Sequence, residues 1–310
     1  MLETLKFSTE AIFPVLGYTF TFIIGNFIGS FLNVIADRTA KSVETGKRLS
    51  PFKGRSQCDD CGEKLGLKDL FPLLSFASLK GKCRYCKAKL SFFYPISEIL
   101  TGLAFVGLAY YLNVFGLNTF MSWLSFAYLA IVISFMLVIF LADLKYQIIP
   151  NKVIFPAIAF VLLVMLISMG VLALGSYKQL SADPFGRYLL QTGYWESQMI
   201  SMLKNFGLTL GTAGILAGFF WLLIIITKGK GMGGGDVKLA FLIGIVNGFP
   251  MNIVAIILGF VIGAVYSSIL MVLGRKSLKD VIPFGPFLII GSVLAFAFGQ
   301  QLFDWYIGLI

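Results

Sequence analysis

Residues 120–143 read FMSWLSFAYLAIVISFMLVIFLAD, 23 residues without a charge closed by Asp143. At about 1.5 Å per residue such a run crosses the roughly 30 Å of bilayer hydrocarbon as one helix. The acid then falls where the helix leaves the membrane. Working outward, further apolar stretches occupy residues 12–36, 96–112, 153–175, 206–227, 239–249, 253–274 and 284–306. The one at 239–249 is short and interrupted by glycine. Composition agrees: 58% hydrophobic and 13% charged residues, with a mean hydropathy of +0.88, are far too apolar for a soluble domain of 310 residues. The expected fold is an all-α polytopic membrane protein of about eight transmembrane helices. The first stretch lacks a basic start and runs through Gly25, Gly29 and Asn33 into a charged region, unlike a cleavable signal peptide.

Charge sets the expected orientation. With eight crossings and both termini outside, 21 of the 25 lysines and arginines fall in cytoplasmic segments, leaving Lys6, Lys178, Arg187 and Lys204 outside. That is the positive-inside pattern. The formal net charge of +10 therefore reads as membrane orientation and contact with anionic lipid at the inner leaflet. No aromatic-interleaved basic stretch or recognition helix supports nucleic-acid binding. The expected division is a first transmembrane segment at 1–36, an inserted cytoplasmic module at 37–95 and a membrane core of about seven helices at 96–310, with 176–205 as an outer loop.

The module carries all four cysteines, as Cys58-x-x-Cys61 and Cys83-x-x-Cys86. Each CxxC turn directs two thiolates at one ion, and two such turns complete a tetrahedral four-cysteine zinc site. Gly62 and Lys87, directly after each pair, suit the knuckles. The alternative is two disulfides or unpaired structural cysteines. A cytoplasmic location is reducing, which together with the spacing favours zinc. Four protein ligands close the site, so the metal would fold a segment too small for a good core rather than perform chemistry.

The chain has no histidine, which removes Ser-His hydrolases, HExxH metalloproteases and histidine proton relays. Carboxylates remain for acid-base work. Asp143 closes one apolar helix, and Asp236 opens the short one after Gly233-Gly234-Gly235. Glu98 lies at another helix start, with Asp37 and Asp280 nearby but expected in water. Two carboxylates brought together cannot both ionise cheaply, so they share a proton. One activates water while the other protonates a peptide carbonyl oxygen. The glycines at 229, 231 and 233–235 remove side chains just before Asp236, letting an extended substrate backbone approach it. The competing readings are a flexible linker, a helix cap at Asp236, pairs with Lys145 and Lys238, and an ion pathway through both acids.

Taken together these pieces resemble a known family. Gly233-Gly234-Gly235-Asp236 fits the GxGD signature of intramembrane aspartyl proteases, and the fuller set is similar to the type IV prepilin peptidases, also called prepilin leader peptidase and N-methyltransferase. The matching pieces are Gly29-Ser30-Phe31-Leu32-Asn33-Val34, the paired CxxC module, Tyr94-Pro95-Ile96-Ser97-Glu98, Asp143 followed by Ile149-Pro150-Asn151, the Gly-Asp-Val-Lys-Leu stretch at 235–239, and Ile282-Pro283-Phe284-Gly285-Pro286-Phe287. The resemblance implies a bacterial inner-membrane enzyme in which Asp143 and Asp236 cut the basic leader of prepilins and type II secretion pseudopilins at the cytoplasmic face. It implies also that the new N-terminal residue is methylated with S-adenosylmethionine, and that zinc sits on the four cysteines. One departure is Lys145, where many relatives carry an acid.

Gly233, Gly234 and Gly235, with Glu98, are the expected substrate-binding residues. Glu98 caps its helix or faces the amino group of the cut substrate. Asn33 reads as a helix-to-helix hydrogen bond, and Pro283 and Pro286 re-route the chain into the last span, either for packing or to shape a substrate slot. No GxGxxG unit marks a methyl-donor site. A donor site between the cysteine module and the inner membrane surface is the expectation. A protease without methyl transfer, and a transporter or channel using the two aspartates as ion ligands, stay open as alternatives. Oligomeric state is not written in the sequence.

Overall fold

The computed structural model of the chain describes residues 2–46, 50–52, 54–58, 60–229, 232–275 and 282–308, the side chains of 2–12 excepted. Gly231, Asp59 and Asp280 lie outside the described residues. The chain divides into two compact units, Met1–Tyr146 and Gln147–Ile310. Among the described residues it is all-helical apart from two isolated antiparallel bridges, Gln57 with Lys64 and Lys82 with Lys89.

The first unit contains α1 (Leu2–Glu44), a 3-10 turn at Leu67–Asp69, α2 (Leu74–Ser78), α3 (Phe93–Tyr111), α4 (Val114–Leu117) and α5 (Phe120–Tyr146). Its frame is the contact of α1 with α3. Gly25, Gly29, Asn33 and Asp37 recur every fourth residue and so share one face of α1. A Cβ on Gly25 would lie 2.7 Å from the Gly102 Cα, and one on Gly29 would lie 2.9 Å from the Thr101 Cβ, so only glycine lets the two backbones come this close. Further along, the Asn33 amide donates to Ser97 Oγ at 2.8 Å and Ser97 Oγ donates to Asn33 Oδ1 at 2.9 Å. The helix-to-helix hydrogen bond expected of Asn33 is this one.

The second unit contains α6 (Asn151–Ala182), α7 (Pro184–Gln191), α8 (Tyr194–Ile226), α9 (Gly234–Asn247), α10 (Met251–Val272) and α11 (Gly285–Ile307). The short α9 is its centre, packed against α6, α8, α10 and α11. Leu239, Ala240, Leu242, Ile243, Gly244 and Ile245 are buried there, and a Cβ on Gly244 would lie 2.7 Å from the Ala213 Cα of α8. The Asn247 amide donates to Ser292 Oγ of α11 at 2.6 Å. Buried Asn252 of α10 reaches Thr212 Oγ1 of α8 at 2.7 Å. Pro286 enters α11 in its first turn, and Phe284 joins Phe260 and Phe220 with ring centroids 5.0 and 6.1 Å away.

Seven helices among the described residues are long and apolar enough to cross a membrane: Phe13–Glu44 of α1, then α3, α5, α6, α8, α10 and α11. The eighth expected crossing is α9, whose 14 residues extend about 21 Å, short of a lipid-facing span. The outer loop expected at 176–205 is mostly helix. At 32 residues, α6 reaches about 48 Å, beyond any hydrocarbon thickness, and ends at Asp183. That carboxylate accepts the Gly186 N–H at 3.3 Å and Pro184 occupies the first turn of α7, a capped start that composition alone concealed.

Candidate active site

Asp143 lies in the last turn of α5, 5% exposed. The helix stops three residues later because Pro150, in extended conformation, opens α6, and the residue before a proline is disfavoured in a helix. Gln147 takes φ +54° at the turn. Asp236 sits in the first turn of α9, partly exposed, and its carboxylate accepts the Gly233 N–H at 3.2 Å. An acid there satisfies an otherwise unpaired helix N–H and meets the positive end of the helix dipole. Each aspartate belongs to a different compact unit, the first and the second respectively.

Within the second unit, the start of α9 rests against the start of α6. A Cβ on Gly235 would lie 2.8 Å from Ile149 Cβ, so close packing demands glycine at 235. Lys238 Nζ donates to Asn151 Oδ1 at 2.7 Å and lies 5.2 Å from the Phe155 ring centroid. Gly234 differs: a Cβ there meets nothing within 4 Å, and on Gly233 the closest atom is an Asp236 oxygen at 3.9 Å. Packing explains one glycine of the three and leaves two open beside the acid.

Asp37, expected in water, keeps a side chain 20% exposed but is also heavily engaged by partners. In the first unit its carboxylate accepts from Lys145 Nζ, Tyr94 OH and Tyr146 OH, each at 2.9 Å, and Lys145 also donates to Tyr94 OH at 2.9 Å. The ammonium lies 4.8 Å from the Tyr94 ring centroid. One acid thus ties α1 to α3 and to the end of α5 that carries Asp143. The signal for it was the four-residue stripe on α1, masked by the basic run that follows. Lys145 has Asp37 as its ion-pair partner.

Glu98 is 7% exposed, and its Oε2 accepts the Leu73 N–H at 3.0 Å. Leu73 holds φ +58°, a costly conformation for a branched side chain, so this bond fixes a strained turn of the module onto α3. An about 500 Å³ cavity lies between the module and the neighbouring ends of α1 and α3.

The four cysteines converge. Their sulfurs lie within 4.8 Å of one another, with Cys58 Sγ and Cys86 Sγ 3.9 Å apart. A tetrahedral ion with about 2.3 Å metal–sulfur bonds needs sulfurs about 3.8 Å apart, so the set fits one metal ion. Both turns share a geometry. Cys58 N–H donates to the Glu63 carbonyl at 3.0 Å and Cys83 N–H to that of Ala88 at 2.8 Å. Gly62 and Lys87 follow at φ +69° and +61°. The Cys86 and Tyr85 amides pull the Cys83 thiol down to about 7. The Ala88 amide favours the Cys86 thiolate, yet burial and the thiols of Cys61, Cys83 and Cys58 outweigh it and push that thiol up to about 12. Four crowded sulfurs resist joint ionisation, the condition a bound cation relieves. Beside them Asp69 accepts from Arg84 at 2.6 Å, from Tyr85 OH at 3.2 Å and from the Gly66 N–H at 3.0 Å. Burial works against its charge, but the Arg84 guanidinium and the Gly66 amide hold its carboxyl below the usual range.

Comparison with known proteins divides the chain in the same order. Residues 23–112 match the bacterial peptidase A24 N-terminal domain, and residues 130–268 match the type IV leader peptidase family. Among curated relatives, the prepilin leader peptidase/N-methyltransferase of Bacillus subtilis is 30% identical over 288 residues, spanning 92% of this chain and 96% of that protein. Proteins of the same name from Stutzerimonas stutzeri and Pseudomonas aeruginosa are 26% and 27% identical, each covering 92% of its own length, and 92% and 93% of this chain. No solved structure matches the chain.

Proposed function

The chain belongs to the type IV leader peptidase family, and from that premise we propose that it cleaves the leader of type IV prepilins and type II secretion pseudopilins with Asp143 and Asp236, then methylates the new N-terminus. It is a multi-span membrane peptidase by family and by its seven long apolar helices. One observation carries the catalytic reading. Asp236 opens a helix whose first turn is pressed onto Ile149 and Asn151, the residues that follow the loop after Asp143. Asp143 precedes Ile149 by six residues in the chain, and this sequence proximity supports reading the two acids as a pair.

In the dyad one carboxylate takes a proton from water as it attacks the scissile carbonyl, and the other, protonated, donates to the carbonyl oxygen. Gly233 and Gly234, without side chains and without packing partners that would require glycine, leave the substrate backbone room to lie along the first turn of α9. The leader is basic and the cysteine module is rich in lysine and arginine, so long-range attraction does not deliver it. The hydrophobic helix of the substrate enters sideways from the bilayer and presents its leader at the inner face.

Orientation follows the charge. The module is cytoplasmic and both termini lie outside, with α9 as the sixth crossing. Protein surrounds α9, and a segment shielded from lipid need not match the bilayer thickness. The module's ion is Zn²⁺, held by Cys58, Cys61, Cys83 and Cys86 and serving to fold the segment. The methyl donor is S-adenosylmethionine.

The test is incubation of the purified protein with a prepilin, with and without S-adenosylmethionine, read by intact mass. Loss of the leader mass followed by a gain of one methyl group supports the reading. An uncleaved prepilin with folded enzyme defeats the first half, and a cleaved but unmethylated product defeats the second.

A further inference from the structure

The exposed apolar face of α1 continues onto the cysteine module. Leu16, Phe20, Ile24, Phe27 and Phe31 are exposed along one face of the helix, and from Leu16 to Phe31 that stripe rises about 22 Å, less than the roughly 30 Å of hydrocarbon. Phe27 lies one turn, about 6 Å, deeper than Phe31. Two module side chains follow the helix down. Phe52 lies against Phe31 with ring centroids 6.4 Å apart, and Phe71 meets Phe27 edge-on at 5.7 Å. Neither ring is covered: Phe52, Phe71 and nearby Leu74 are 70%, 48% and 67% exposed.

We infer that the turn at 70–74 and the loop carrying Phe52 are wedged into the lipid leaflet on the module's side of the membrane. The occupant of this face is phospholipid, with acyl chains on the phenylalanines and anionic phosphates on the cations beside them. Phospholipid is the surrounding that already covers Phe20 and Ile24 on the same stripe of a membrane-crossing helix. The wedge rests on that crossing, and only the name of the leaflet, the inner one, rests on the orientation proposed above.

The backbone of the turn suits a place without water, where each N–H needs a protein acceptor. Leu70 N–H donates to the Leu67 carbonyl at 3.2 Å, Leu74 N–H to that of Pro72, and Ser75 N–H to that of Phe71 at 3.1 Å. Pro72 has no N–H to satisfy. Leu73, at φ +58°, donates to Glu98 Oε2 at 3.0 Å, a carboxylate of α3 that is more than nine-tenths buried. Solvent serves an N–H on a wet turn, whereas a buried acid from a membrane helix replaces it where water is excluded.

The polar border lies on the same face of α1. Arg38 stands seven residues past Phe31, about 10 Å further along the helix. Its guanidinium donates to the Pro51 and Gly54 carbonyls at 3.5 and 2.9 Å, bracketing Phe52. Arg55 and Lys68, each three residues from a wedge phenylalanine, are exposed and long enough to reach phosphate.

Depth is the test. Full-length, metal-loaded protein with Trp123, Trp195, Trp221 and Trp305 changed to Phe would carry either Phe71→Trp or, as the aqueous control, Lys64→Trp, at an exposed cation near the first cysteine turn. Each would be reconstituted in phosphatidylglycerol mixed with phosphatidylcholine whose acyl chains carry bromine, a contact quencher. Phe71→Trp should lose about half or more of its emission, because its ring lies within the chains, and Lys64→Trp almost none. Equal emission of Phe71→Trp with and without bromine, or equal losses from both variants, overturns the wedge. If the background lacking tryptophan loses its metal or fails to fold, benzoylphenylalanine placed at position 71 of the otherwise native chain decides. Irradiation in unbrominated vesicles should add the mass of a phospholipid to the peptide holding that position. A peptide without lipid, or one joined instead to a second copy of the chain or to added prepilin, overturns lipid as the occupant. No readout here depends on cleavage or methylation, so failure of the wedge and failure of the proposed function are told apart.

Discussion

Replacing Asp37 with alanine tests whether the clasp between α1, α3 and α5 positions Asp143, the proposed cleavage acid. The change removes the shared acceptor of Lys145, Tyr94 and Tyr146, each at 2.9 Å. The Lys145 pair has side chains 30% and 20% exposed, so it contributes about 1 kcal/mol rather than the several of a dry pair. Two hydroxyl bonds to a carboxylate add about 1 kcal/mol each at this exposure, giving a loss of about 3 kcal/mol. Because Lys145 and Tyr146 end the helix that carries Asp143, the loosening falls on one acid of the proposed dyad. A displacement of about 1 Å there costs about a hundredfold in rate. Thermal unfolding followed by tryptophan fluorescence should fall by roughly 5 °C, and prepilin cleavage followed by intact mass should lose kcat with little change in KM. The reciprocal variant Asp37→Lys with Lys145→Asp restores the ion pair but not both tyrosine bonds, and should recover part of the rate. Wild-type stability and kcat in Asp37→Ala would refute the positioning role.

Other outcomes follow from the same geometry. Asp143→Asn and Asp236→Asn should each abolish leader cleavage by at least about a thousandfold while circular dichroism and detergent behaviour stay unchanged; cleavage that survives either change removes the dyad. Gly235→Ala drives a Cβ into Ile149 and should cost about 1–3 kcal/mol, whereas Gly234→Ala should leave stability intact and reduce cleavage of a prepilin. Elemental analysis should find one zinc per chain, lost on replacing any of the four cysteines with serine, with protease sensitivity appearing across the module. The Asp69 carboxyl is lowered in the folded module, so the stability it provides is full above its unfolded value near 4. It is lost as pH falls through the folded one. Acid titration of the module's fold should therefore flatten in Asp69→Asn below about pH 4.

Much of this architecture was legible in the chain. Apolar runs of about 20 residues announce helices through their length alone, and two CxxC turns announce convergent sulfurs, because both signals are local. What the sequence concealed is long-range. Asp37 looks like a wet acid ahead of a basic segment until α3 and α5 bring Tyr94, Lys145 and Tyr146 to it. The 14 residues of α9 read as a weak span, yet four helices wrap them. Residues 176–205 have loop-like composition, but Asp183 and Pro184 together start a new helix. The cavity beneath the cysteine module has no motif, since its walls come from turns and helix ends scattered between Ser30 and Glu98.

The length of α1 beyond Pro14 has a mechanical corollary. Past Pro14 its residues 15–44 make a rod about 45 Å long, about half as long again as the hydrocarbon thickness it crosses, and the glycine stripe locks α3 alongside it. A bilayer that thins or thickens changes the tilt of such a rod. An arm about 30 Å long, from mid-bilayer to the end of the helix, travels roughly 3 Å for each five degrees of tilt. Lipid thickness thereby becomes a control on the geometry of the polar end, and the same protein reconstituted in short-chain and long-chain phosphatidylcholine should turn over at different rates.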